Sequence, residues 1–91
     1  MNSFGFDRAL ICLRNGFKVT RLDWESGSYI VKQRGYPEGV PINKNTSEAT
    51  GKPIGTIIVF KPYIMLYEKG SFIPWAASQN DLLSNDWYRV E

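Results

Sequence analysis

The stretch TIIVFKPYIMLYEKGSFIPW, residues 56–75, decides how this chain folds. Its β-branched and aromatic residues run for longer than one ordinary strand, and Pro62 interrupts the run. Proline cannot donate a ladder hydrogen bond. It therefore belongs at a sheet edge, in a bulge, or at a bend between two strands around Lys61–Tyr63. Lys69 and Gly70 then supply a tight turn, so 63–68 and 71–75 read as a β-hairpin.

Upstream, KNTSEATGKPIG (44–55) is small and polar, with no apolar periodicity, and reads as a flexible loop. GYPEGVPIN (35–43) holds two glycines and two prolines in nine residues, which predicts an ordered loop or a series of turns. YIVKQ (29–33) is a short β-branched strand, ESGS (25–28) a turn, and FKVTRLDW (17–24) alternates well enough for a first strand. At the start, SFGFDRALICLRNG (3–16) predicts a helix. Phe6, Ala9, Leu10, Leu13 and Phe17 follow the spacing of one buried stripe. Asp7 lies near its positive end, Arg14 near its negative end, and Gly16 suits its stop. Downstream, Ser78 with Asp81 marks the N-cap and first turn of a short helix, 79–84. DWYRVE (86–91) alternates again and closes the chain as a strand, with Trp87 in the core. The sum is an α+β single domain: an N-terminal helix on a small antiparallel sheet, with a short helix near the C-terminus.

Size and composition narrow the function. Ninety-one residues support one modest core, so a small-molecule site belongs at an edge or between subunits. The net charge of +2 comes without any run of like charges, which argues against a DNA or RNA polymer bound through counterion release. The single cysteine, Cys12, and the absence of histidine exclude an intramolecular disulfide, a His/Cys metal site and histidine-dependent catalysis. Cys12 flanks the apolar stripe and reads as a packed thiol. No apolar run approaches a membrane span and no signal pattern opens the chain, so the expectation is a cytoplasmic protein. No nucleotide-binding glycine motif and no cofactor signature occurs, and the usual acid–base and nucleophile sets are mostly missing, which points away from an enzyme.

A binding site has better support. In PWAASQND (74–81), Pro74 fixes the backbone before Trp75. Ala76 and Ala77 leave room for a flat ring over the indole. Ser78, Gln79, Asn80 and Asp81 offer hydrogen-bond groups within one turn, and backbone N–H groups at a helix start favour phosphate. Stacking on an aromatic is worth roughly 1–3 kcal/mol per base. The competing reading makes Trp75 a core residue and Ser78 a helix cap. Tyr36 and Asn43 share the ambiguity: a ring that stacks and an amide that reads a base edge, or a turn whose asparagine caps backbone. Trp24 reads as core or interface. Arg21 and Lys61 are electrostatic candidates for a phosphate, or solvated surface charges.

The segments FGFDRALICLRNGFKVTRLDW, YPEGVPIN and KPYIMLYEKGSFIPWAASQNDLLSNDW together resemble one family across almost the whole chain. It is the phage-encoded Thoeris anti-defence sponges of the second type. PWAASQNDLLSNDW carries the most specific part of the likeness. The resemblance implies a protein that binds the cyclised ADP-ribose signal of bacterial TIR-domain proteins and holds it intact. Some members also bind cyclic oligonucleotides of other immune systems. It implies homo-oligomers, dimers or tetramers, with ligand pockets at subunit interfaces. On that pattern Trp75 stacks on adenine, Phe4 is the second aromatic, and Asn43, Ser78, Gln79 and Asp81 are hydrogen-bond candidates. Residues 44–60 match the pattern least. The alternative is a module that inhibits a host defence protein directly, through an aromatic patch of Trp24, Tyr29 and Tyr36.

Overall fold

The hairpin at 63–75 forms as its sequence demands. In the computed structural model, which describes residues 2–91, Tyr63–Glu68 and Ser71–Pro74 pair antiparallel, with Glu68 opposite Ser71. Lys69 adopts a positive φ of 49° and Gly70 one of 81° in the two-residue turn. This is the left-handed geometry that such hairpin loops require. The run before Pro62 is a separate strand, Ile57–Phe60, so the proline marks a bend between two strands.

In chain order the elements are α1 (Phe6–Arg14), β1 (Val19–Arg21), β2 (Tyr29–Gln33), β3 (Tyr36–Pro41), α2 (Lys44–Thr50), β4 (Ile57–Phe60), β5 (Tyr63–Glu68), β6 (Ser71–Pro74), α3 (Gln79–Leu83) and β7 (Trp87–Arg89). Five strands form one antiparallel sheet in the order β6-β5-β2-β1-β7, and β3 pairs only with β4. The fold is α+β, with α1 on the central sheet and α3 leading into the closing strand. α1 packs on β1, β2 and β7. Ala9 and Leu13 meet Val19, Ile30 and Trp87 there, each at most 1% exposed. Phe17 was expected on this stripe, but it lies 42% exposed under the guanidinium of Arg89. The helix ends at Arg14, and Gly16, with φ of 85°, turns the chain away before Phe17 can join the buried face.

Two expectations are corrected. YPEGVPIN is not a run of turns but contributes β3, an edge strand whose pairing slips between Tyr36 and Val40. The slip, with Gly39 at a φ of 90°, lets two prolines sit in a strand without losing the ladder. KNTSEATGKPIG is not a loop throughout, because its first seven residues are α2. The Asn43 side chain caps it by accepting from Thr46 N–H at 3.0 Å, and Gly51 ends it in the left-handed conformation. Caps at both ends make this helix, not an apolar stripe; none of its residues is buried.

β3, α2 and β4 form an arm. No element of it packs on any element of the body. The radius of gyration is 15.8 Å and the extents are 48 × 25 × 25 Å, against about 12 Å for a compact globule of this length.

Candidate ligand site

The site is built around three tryptophans. Trp87 is fully buried, and its indole N–H donates to the Asp81 carbonyl at 2.8 Å. Trp24, at the turn after β1, meets Trp87 edge-on at 5.1 Å between centroids, and meets Trp75 at 6.4 Å and 65°. Trp75 directly follows β6 and is anchored by its backbone N–H to the Ile64 carbonyl at 2.9 Å. Edge-to-face packing of this kind holds each ring at a fixed tilt. Trp24 and Trp75 pack against the core but are only partly buried.

An ion-paired scaffold stands behind the rings. Arg21, with its side chain 10% exposed, donates Nε to Asp86 Oδ1 at 2.8 Å and Nη1 to Asp81 Oδ1 at 3.0 Å. Asp81 in turn accepts the Ser78 backbone N–H at 3.1 Å, and the Asp81 N–H donates to the Ser78 hydroxyl at 3.0 Å. This is a closed capping box. Burial pushes the Asp81 carboxyl up, but Ser78 and Arg21 together outweigh it and hold the group below its ordinary value. The Arg21 hydrogen bond does the same for Asp86, against a smaller effect of burial. Asp86 holds the Arg21 guanidinium above its ordinary value against desolvation, with Asp81 adding to the effect. Arg21 is therefore a tie between β1, α3 and the start of β7, with its charge already matched. The anion at the start of α3 is the chain's own Asp81.

Two open grooves meet at this cluster. The smaller, about 540 Å³, is lined by Trp24, Leu66, Ile73, Pro74, Trp75 and Ala76, with Asp23, Glu25, Glu68 and Asp81 at its walls. The larger, about 1090 Å³, runs past Phe4, Arg8 and Cys12 to Trp24, Tyr29, Tyr88 and Arg89. Trp24 is a wall of both.

The sequence-predicted residues divide among these places. Trp75, Ala76 and Asp81 line the smaller groove, while Phe4 and Arg21 line the larger. Phe4 bridges to Trp87 through two backbone hydrogen bonds, and the ring beside Trp75 is instead Phe6, at 5.7 Å. Ser78 is the cap and Gln79 is exposed at the start of α3. Tyr36 and Asn43 lie on the arm, where Tyr36 packs edge-on against Phe60 and Asn43 caps α2. Sequence reading missed Arg8. Arg8 and Cys12, four residues apart, share one side of α1, and Phe4, ahead of the helix in its bridge to Trp87, lies under Arg8; the Arg8–Cys12 spacing carries the signal. Among the described residues no cluster of thiol and carboxylate groups has a metal-ligand arrangement, and no helix is long and apolar enough to cross a membrane.

A protein-family comparison decides the family. A domain described as Thoeris anti-defence 2-like matches residues 4–90. The chain belongs to the Thoeris anti-defence 2-like family. That membership makes it a phage anti-defence protein directed at the Thoeris signalling system. Comparison with curated proteins gives no significant match. The matched region of this Thoeris anti-defence 2-like chain takes in the smaller groove, most of the lining of the larger one and the whole arm, so the arm is part of the family domain.

Proposed function

We propose that this protein is a sponge: it binds cyclic ADP-ribose-type signals made by bacterial TIR-domain proteins, leaves them intact, and so starves the downstream effector. The observation that carries the reading is the pair of partly exposed indoles, Trp24 and Trp75, fixed by a buried third where two open grooves meet. A purine stacks on such a face without any change in the protein, and preorganised rings keep the ordering cost of binding low. The chemistry requires no turnover, only slow release in the cytoplasm of an infected host.

Tyr36 and Asn43 lie on an arm apart from Trp75 and Phe4. A second copy that docks its arm against the body joins the two groups, which supports a homo-oligomer, dimer or tetramer, with subunit-interface pockets. Ile57 and Val59 of the arm are 60% and 57% exposed. Changing both to serine is expected to shift the protein to a smaller species in sedimentation, with the body's melting temperature unchanged.

To test the sponge reading, the purified protein is incubated with extract from cells with a triggered TIR-domain defence. It is freed of unbound small molecules and heat-denatured, and the release is read by mass spectrometry. An intact cyclised ADP-ribose is the expected product. Release of nothing from an extract shown to contain the signal overturns the reading, and release of an opened ring means an enzyme. The exposed apolar arm also favours a second reading, direct inhibition of a host defence protein through that surface. Capture of a defence protein by the chain, lost with the Ile57 and Val59 changes but kept with Trp75→Ala, decides for it.

A further inference from the structure

The two grooves differ sharply in charge. Four carboxylates and no lysine or arginine line the smaller one. Three arginines, Arg8, Arg21 and Arg89, line the larger one against two carboxylates, Glu25 and Glu91. A ligand with two phosphates brings negative charge that the smaller groove repels and the larger attracts. The arginines are not equal. Arg21 is committed to Asp81 and Asp86, and Arg89 lies 3.3 Å from Glu91. Arg8 has no carboxylate partner among the described residues, and its guanidinium lies over the Phe4 ring, 5.2 Å from the centroid. Such stacking holds the planar fork in one orientation and leaves its N–H edge for an anion.

We propose that Arg8, stacked on Phe4, binds the phosphate groups of the ligand in the larger groove, while Trp75 and its acidic surroundings take only uncharged parts. The shared wall of Trp24, Glu25 and Ser28 is the point where base and phosphates part. This assignment rests on the sponge reading and adds the place and polarity of the site. Arginine matches phosphate bidentately, whereas lysine offers one point charge, so the guanidinium itself is part of the prediction.

The test uses a cyclised ADP-ribose made enzymatically by a TIR-domain protein, titrated calorimetrically into the full chain. Arg8→Gln is expected to raise Kd at least tenfold, and Arg8→Lys to recover part of that loss. Arg14→Gln, which removes the same charge from an exposed position outside both grooves, is expected to leave Kd within about twofold. The wild-type Kd rises with added salt, and the rise is shallower in Arg8→Gln. Arg8 is exposed, so an unchanged melting temperature separates lost binding from lost folding. If wild type binds and Arg8→Gln binds equally well, the placement in the larger groove is wrong and the sponge stands. If Glu68→Gln tightens binding tenfold, the phosphates lie in the smaller groove and the placement is again wrong. If wild type binds nothing, the placement and the sponge reading fall together.

Discussion

The body and the arm of this molecule are held by different means. The body has five fully buried apolar residues from α1, β1, β2 and β7, with Trp87 at their centre. The arm has one, Ile42, pinned by hydrogen bonds to Thr56 and Gly55. The body is held by burial, so its weak points are large side chains. The arm is held by backbone pairing, caps and left-handed glycines, so its weak points are small residues. A chain this short cannot build two cores, and the arm's remaining apolar surface is left outward.

Trp87→Ala is the harshest way to sharpen that contrast. It empties the centre of the body and leaves the Asp81 carbonyl without its indole donor. Loss of about 3–5 kcal/mol is expected, read as a collapse of the urea midpoint. Survival of a cooperative transition near the wild-type midpoint means that the body does not depend on this core.

Acid probes the body's second support. Asp81 and Asp86 have carboxyls held below their ordinary values. A depressed folded value means that the stabilisation is complete above the unfolded-state value, about 3.9. It is lost as pH falls below that through the folded values. The urea midpoint should therefore hold from neutrality to about pH 4, near that unfolded-state value, and fall below it. Asp86→Asn should flatten the fall and cost roughly 1.5–3 kcal/mol at neutral pH, the worth of a hydrogen bond to a charged group. An unchanged pH profile in that variant shows that Arg21 is not the tie.

The arm breaks at glycine. Gly35 has a φ of 71°, and a Cβ there meets the Phe60 carbonyl oxygen and the backbone of Lys61. Gly35→Ala should cost the arm at least about 1–2 kcal/mol from the left-handed backbone alone. Faster proteolysis within 44–62, with an unchanged body transition, is the expected result. A lowered body transition instead would mean that arm and body fold as one unit. Smallest is Asn43→Ala. It removes the α2 cap for about 1 kcal/mol, visible as faster amide exchange in 44–50 alone.

The same contrast explains what was legible in the sequence. The body's elements were readable from burial and turn chemistry: the period of Phe6, Ala9 and Leu13 for the helix, alternation for β1 and β7, β-branched residues for β2, and the Lys69–Gly70 turn for the hairpin. Of the arm, β4 was readable from the β-branched run ahead of Pro62, but β3 and α2 write no period. Strand β3 contains Pro37 and Pro41, and α2 has no buried face. The only signals for α2 were Asn43 at one end and Gly51 at the other. The candidate site was legible residue by residue but not as an arrangement. Nothing local in PWAASQND says that Arg21, far upstream, closes on Asp81. Nothing in FGFDRAL says that Phe4 and Trp75 take different grooves. Both facts depend on strand order, with β7 lying beside β1.

All three tryptophans of the chain sit in one contact cluster, at centroid distances of 5.1 to 6.4 Å and steep mutual angles. Indoles so placed share their electronic transitions, and the near-ultraviolet circular dichroism of the protein is a property of the trio. A guest in the smaller groove touches two members, and one in the larger groove touches only Trp24. The unlabelled protein thus carries a built-in optical reporter, whose spectrum tells which groove has filled.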